Sequence, residues 1–213
     1  MLMAADRESI VHHGRKMVQV GLTSGTGGNI SVIDRAAGHI AISPSGLDYF
    51  ETEAEDIVVT DLDGTVVEGK RKPSSELQFH RAVYRARPDA VAVVHTHSVY
   101  ATTVACLGEE LPAVHYMIGY SGDKVPLAPY STFGTDALAT AVEEGIRDYN
   151  ALLLANHGVI AMGNNLPTAF AAAEAVEFVA RIWLQARSVG TPVILSQAEM
   201  AVVVDKFASY GQK

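Results

Sequence analysis

The chain has 213 residues, 48% of them apolar and 19% charged, with 16 Lys and Arg against 24 Asp and Glu for a net charge of −8. That length suits one domain over residues 1–213 with a full core, and an acidic balance without a basic block argues against a nucleic-acid partner. A lone cysteine, Cys106, excludes an internal disulfide and any cysteine-built metal site, and no apolar run nears the roughly 20 residues of a membrane helix.

In chain order, the opening MLMAADRESI lacks the charged and apolar regions of a secretory signal, so a cytoplasmic location is expected. Residues 1–20 place Ile10, Val11, Met17 and Val18 as the apolar stripe of a helix ended by Gly21. The loop GLTSGTGGN follows, and NISVID and HIAIS then read as a hairpin around DRAAG. DIVVTDLDGTVVEG is a second strand–turn–strand, with Asp63-Gly64 in the turn. A helix is predicted from about Ser75, capped by Ser75 with Gln78 and closed by Pro88. The strand AVAVVHTH leads into the helix SVYATTVACLG. After the helix TDALATAVEEGIRDYN come the strands ALLLANHG and VIAMG, then two helices starting near Leu166 and Ser196. Helices alternate with hairpins without regular βαβ spacing. The expected fold is an α/β, three-layer α/β/α domain on a mainly antiparallel or mixed sheet.

The chemistry centres on AVAVVHTH. On a strand, side chains alternate faces, so His95 and His97 point the same way; on a helix they would diverge. The run is short and β-branched, which favours the strand. His157 ends a second apolar strand, and three imidazoles so placed suit zinc with positions left open for substrate. The alternative is three hydrogen-bonded histidines at strand ends. Glu76, in PSSELQF, is either a well-placed helix-start acid or a carboxylate useful at such a site. Ser74 and Ser75 are helix caps or phosphate donors. GTGGN leads into a strand and lacks a following Gly-Lys-Ser/Thr, so it is neither nucleotide fingerprint, though an anion nest remains open. His12, His13, His39 and His80 read as surface or helix-face residues without a role. No lysine lies in an apolar strand where it could form a Schiff base.

Taken together, GTGGNIS, SPSG, KPSSELQFH, VVHTHS, PAVHYMIGYSG, APYSTFGT, NHGVIA and AVVVDKFASYG resemble the zinc-dependent class II aldolases of sugar phosphates, in order and spacing, from Gly21 to Gly211. The resemblance implies one zinc ion per subunit on His95, His97 and His157, with Glu76 as a further ligand that leaves the metal and serves as base. It implies a phosphate cradle of Gly28, Asn29, Ser45, Gly46, Ser74 and Ser75, with Phe133 lining the aldehyde pocket. Tyr116 from a neighbouring subunit would donate a proton, and Tyr210 would orient the substrate or close the site, in a homotetramer whose contacts would suit the high apolar content. The implied reaction is reversible cleavage of L-fuculose 1-phosphate, or a similar 1-phosphoketose, to dihydroxyacetone phosphate and a short aldehyde such as L-lactaldehyde. The same scaffold also hosts L-ribulose-5-phosphate 4-epimerases, related phosphosugar lyases and dehydratases, and non-enzymatic adducin-like modules. The epimerases carry aspartate where this chain has Glu76, which leans towards aldolase.

Overall fold

A computed structural model describes residues 1–208. Helix α1 spans Ala4–Gln19, and the strands that follow are β1 (Asn29–Asp34), β2 (His39–Ile42), β3 (Val58–Asp61) and β4 (Val66–Glu68). Helix α2 (Leu77–Ala86) precedes β5 (Ala92–Thr96) and α3 (Val99–Cys106). The rest of the described chain is β6 (Leu127–Ala128), α4 (Asp136–Gly145), β7 (Ala151–Leu154), β8 (Gly158–Gly163), α5 (Leu166–Val189) and α6 (Gln197–Ala208). Among the described residues no helix is long and apolar enough to cross a membrane.

The strands form one sheet in the order β4-β3-β2-β1-β5-β8-β7-β6. Every neighbouring pair is antiparallel except β6 with β7. The mixed sheet is as expected; the two-residue β6 is too short to carry a sequence signal of its own. Alternation along each strand divides the core. Ile30, Val32, Ala92, Val94, Val159 and Ala161 share one apolar layer with residues of α1, α3 and α5. Ile33, Val93, Leu152, Ile160 and Met162 share the other with residues of α2 and α4. That is the three-layer arrangement the period-2 pattern called for.

Helix α2 departs from the reading in one detail. It starts at Leu77, with Glu76 in the capping position and no side-chain cap. The Ser75–Gln78 capping box does not form; instead the Glu76 N–H donates to Ser74 Oγ at 3.2 Å. Just before it, Ser74 N–H reaches Ser43 O and Ser45 N–H reaches Lys72 O, at 3.1 and 3.0 Å. These bonds tie the loop after β2 to the loop before α2, so two distant serine pairs meet at one end of the sheet.

Candidate functional site

The β1–β5 register sets Asn29 directly opposite His95, and opposed residues of an antiparallel pair share a face. His97 follows on the same face just beyond the end of β5. His157 arrives from the turn between β7 and β8, where Asn156 takes a left-handed φ of 55°. Two glycines let these segments close up. A Cβ on Gly28, at φ +71°, would stand 2.5 Å from His95 O; one on Gly158 would stand 2.3 Å from Thr96 O.

The result is a cluster of Glu76, His95, His97 and His157 whose potential ligand atoms all lie within 4.8 Å of one another. His95 and His97 face each other Nε2 to Nε2 at 3.0 Å. His95 Nδ1 lies 2.9 Å from Val159 O, and a carbonyl can only accept, so Nδ1 carries the proton and Nε2 offers a bare lone pair. Such a bond to the second ring nitrogen is the usual support of a metal-binding imidazole. Glu76 Oε2 is 3.3 Å from His95 Nε2, and Oε1 is 3.2 Å from His157 Nε2. Oε1 is buried and closes no hydrogen bond. An orphaned carboxylate oxygen beside three converging imidazoles is a donor set that fits a divalent cation.

Electrostatics agree. Burial pushes the Glu76 carboxyl up, but the approach of His157, the charge of His95 and the Asn29 amide outweigh it and hold the group at about 2. Burial lowers His95 to about 3 against the pull of Glu76, and burial followed by His157 lowers His97. Glu76 is therefore favoured as an anion and His95 and His97 as neutral imidazoles, the forms that ligate metal.

A cleft of about 370 Å³ opens onto this cluster. Its lining includes Gly28, Asn29, Ser45, Gly46, Ser74, Ser75 and Phe133, the cradle and pocket positions named from sequence. Thr26, Gly27, Tyr130, Ser131 and Asn156 line it too and were not singled out. Thr26 and Gly27 belong to the GTGGN loop, and Tyr130, Ser131 and Asn156 to the APYSTFGT and NHGVIA stretches of the family resemblance, but none was given a role of its own. Tyr116 lies elsewhere, 51% exposed, on a short 3-10 turn beside Met117, Tyr120 and Phe207. Tyr210 lies outside the described residues. His80, read as a helix-face residue without a role, is fully buried and bonded to Asn29.

Residues 8–184 match the family described as Class II Aldolase and Adducin N-terminal domain. A 5-deoxy-D-ribulose 1-phosphate aldolase of Bacillus thuringiensis serovar kurstaki is 55% identical over 213 residues, the whole of both chains. An L-fuculose phosphate aldolase of Escherichia coli is 43% identical over 198 residues, 92% of this chain and 91% of that one. A solved L-fuculose 1-phosphate aldolase superposes with a TM-score of 0.95 at 45% identity, covering 98% of each chain. The chain thus belongs to the class II aldolase and adducin N-terminal domain family, and within it is an aldolase, a lyase.

Proposed function

We propose that the protein is a cytoplasmic, zinc-dependent aldolase that cleaves a 1-phosphoketose between C3 and C4, releasing dihydroxyacetone phosphate and a short aldehyde. The observation that carries this reading is the four-ligand cluster of Glu76, His95, His97 and His157 at the base of a cleft rimmed by hydroxyls and backbone amides. Zinc held there supplies a Lewis acid that stabilises the negative charge left on the triose fragment, a contribution of several kcal/mol. Among the described residues no lysine or arginine lines the cleft, so the donors that this chain itself offers the phosphate are neutral. Ser74 and Ser75 lead directly into α2, whose dipole favours an anion at its start, and Ser45, Gly46, Gly28 and Asn29 line the same cleft.

Glu76 would return a proton to C3 after cleavage and remove it in synthesis. Tyr116 would donate to the aldehyde oxygen in the synthetic direction, working in a neighbouring subunit's cleft. Its exposure, outside its own chain's cleft, supports that assignment and a homotetramer with shared sites. Phe133 and Tyr130, 64% and 62% exposed at the rim, would flank the aldehyde.

For the substrate, a 5-deoxypentulose 1-phosphate ranks ahead of fuculose 1-phosphate, because the relative named for the former shares 55% of its sequence against 43%. Cleavage of the former yields acetaldehyde; the latter yields lactaldehyde. Pockets separate such small differences by only about 1–3 kcal/mol, so both should turn over. The test is a panel of 1-phosphoketoses assayed for triose phosphate release, with zinc content measured alongside. The expected result is fastest release from 5-deoxyribulose 1-phosphate; release from none of them would refute the reading.

A further inference from the structure

Behind the cleft, five buried side chains join end to end. Tyr84 OH lies 2.7 Å from Ser31 Oγ, which lies 2.7 Å from His80 Nδ1. His80 Nε2 meets Asn29 Oδ1, and Asn29 Nδ2 donates to Glu76 Oε2 at 2.8 Å. Asn29, Ser31, His80 and Tyr84 are each at most 4% exposed, so water cannot replace a missing partner.

The direction of this chain can be worked out from its end. The Glu76 carboxylate only accepts, so Asn29 must turn its NH₂ towards it and its carbonyl oxygen towards His80. His80 must then carry its proton on Nε2. Its Nδ1 is left to accept from the Ser31 hydroxyl, which in turn accepts from Tyr84. Every donor points the same way. The other tautomer of His80 would set a lone pair against Asn29 Oδ1. Relief would need the Asn29 amide to flip, which would place its carbonyl oxygen against the Glu76 carboxylate.

We propose that His80 is a positioning residue: as the Nε2–H tautomer set by Ser31 and Tyr84, it locks the Asn29 amide and through it the orientation of Glu76. The inference rests on Glu76 being the base of the proposed reaction. It acts through Asn29 and not by touching substrate, since His80 does not line the cleft. Support one step removed from a metal centre is typically worth about 10–100-fold in activity or metal affinity.

Two measurements test it. Long-range ¹H–¹⁵N NMR on the metal-free full chain at neutral pH should find His80 protonated at Nε2 and bare at Nδ1; the reverse tautomer overturns the proposal. In zinc-loaded protein, His80→Phe should lower kcat about 10–100-fold. KM and zinc content should stay within about twofold of the parent, as expected when binding is untouched. His80→Gln, which can offer a donor near the same place, should recover most of the loss. In an Asn29→Ala background, His80→Phe should cost nothing further. An equal loss in both backgrounds, or a Gln variant as poor as Phe, overturns the proposal. Should the Phe variant not fold, the ring-nitrogen signals of the unaltered chain still decide. A chain inactive on every 1-phosphoketose would sink the functional reading alone, because the NMR measurement uses neither substrate nor metal.

Discussion

On one face of the central strands, Ile30, Val32, Ala92, Val94, Val159 and Ala161 meet α1, α3 and α5 through hydrocarbon. On the other face the same strands carry Asn29, Ser31 and His95, with Glu76 and His80 against them from the α2 side. Hydrocarbon contacts have no direction and tolerate rearrangement at constant volume. The polar chain on the second face tolerates little, because each buried donor must meet one particular acceptor. One side of the sheet packs through hydrocarbon, and the other adds to its own apolar layer a few polar side chains held in a fixed arrangement. Substitutions on the two faces should therefore fail in different ways.

The sharpest contrast is in turnover. Glu76→Gln keeps the shape but removes the proposed proton carrier, and loss of general acid–base help should lower kcat by about 10²–10⁴-fold while most of the added zinc stays bound. Parallel kinetics and elemental analysis check this; unchanged turnover would remove Glu76 from the reaction. The matching experiment on the apolar face is Phe170→Ala in α5. Phe170 is 1% exposed, and its loss should destabilise the protein by about 3–5 kcal/mol in a urea titration. Its kcat below the unfolding transition should hold. A kcat loss comparable with that of Glu76→Gln would erase the distinction between the faces.

A smaller effect should appear with pH. Burial, opposed only by the charge of Glu76, lowers His80 from 6.5 to about 3. Below 6.5 the unfolded chain takes up a proton that the folded ring refuses, so stability falls as pH drops through that window towards 3. Near pH 5.5 the loss from this ring is roughly 1.4 kcal/mol. His95 behaves alike, so the comparison is between metal-free parent and His80→Phe, whose stability should depend less steeply on pH. Equal slopes would mean that the fold accepts the proton. The smallest effect belongs to the surface. Arg85 and Glu143 pair at 3.1 Å between α2 and α4 with both side chains partly exposed, so Arg85→Ala should cost only about 0.2–1 kcal/mol.

Much of this site was legible in the chain itself. The alternation in AVAVVHTH set His95 and His97 on one face, and the context of His157 brought in the third imidazole. Ser74 and Ser75 were read as caps or phosphate donors and GTGGN as an open anion nest, Ser45 and Gly46 entered through the family resemblance, and the structure gathers them around one cleft. What escaped was non-local polarity. His80, read as a surface or helix-face residue, is buried with the apolar residues of α2, and local helical periodicity cannot name Ser31 and Asn29 as its partners. The Ser75–Gln78 cap failed for a related reason. Hydrogen bonds between the two serine loops fix the backbone before α2, and the helix is capped at Glu76, one residue later than the local pattern suggests. Tyr116 illustrates the limit of a single chain, since its proposed partner cleft belongs to another copy.

The most direct measurement strips the protein with a chelator, returns zinc in sub-stoichiometric steps, and follows triose phosphate release from 5-deoxyribulose 1-phosphate. Turnover should vanish on stripping and climb linearly to full rate at one zinc per chain, with no recovery in His95→Ala. Full turnover by the stripped protein, or full recovery without His95, would contradict a metal centre built on these residues.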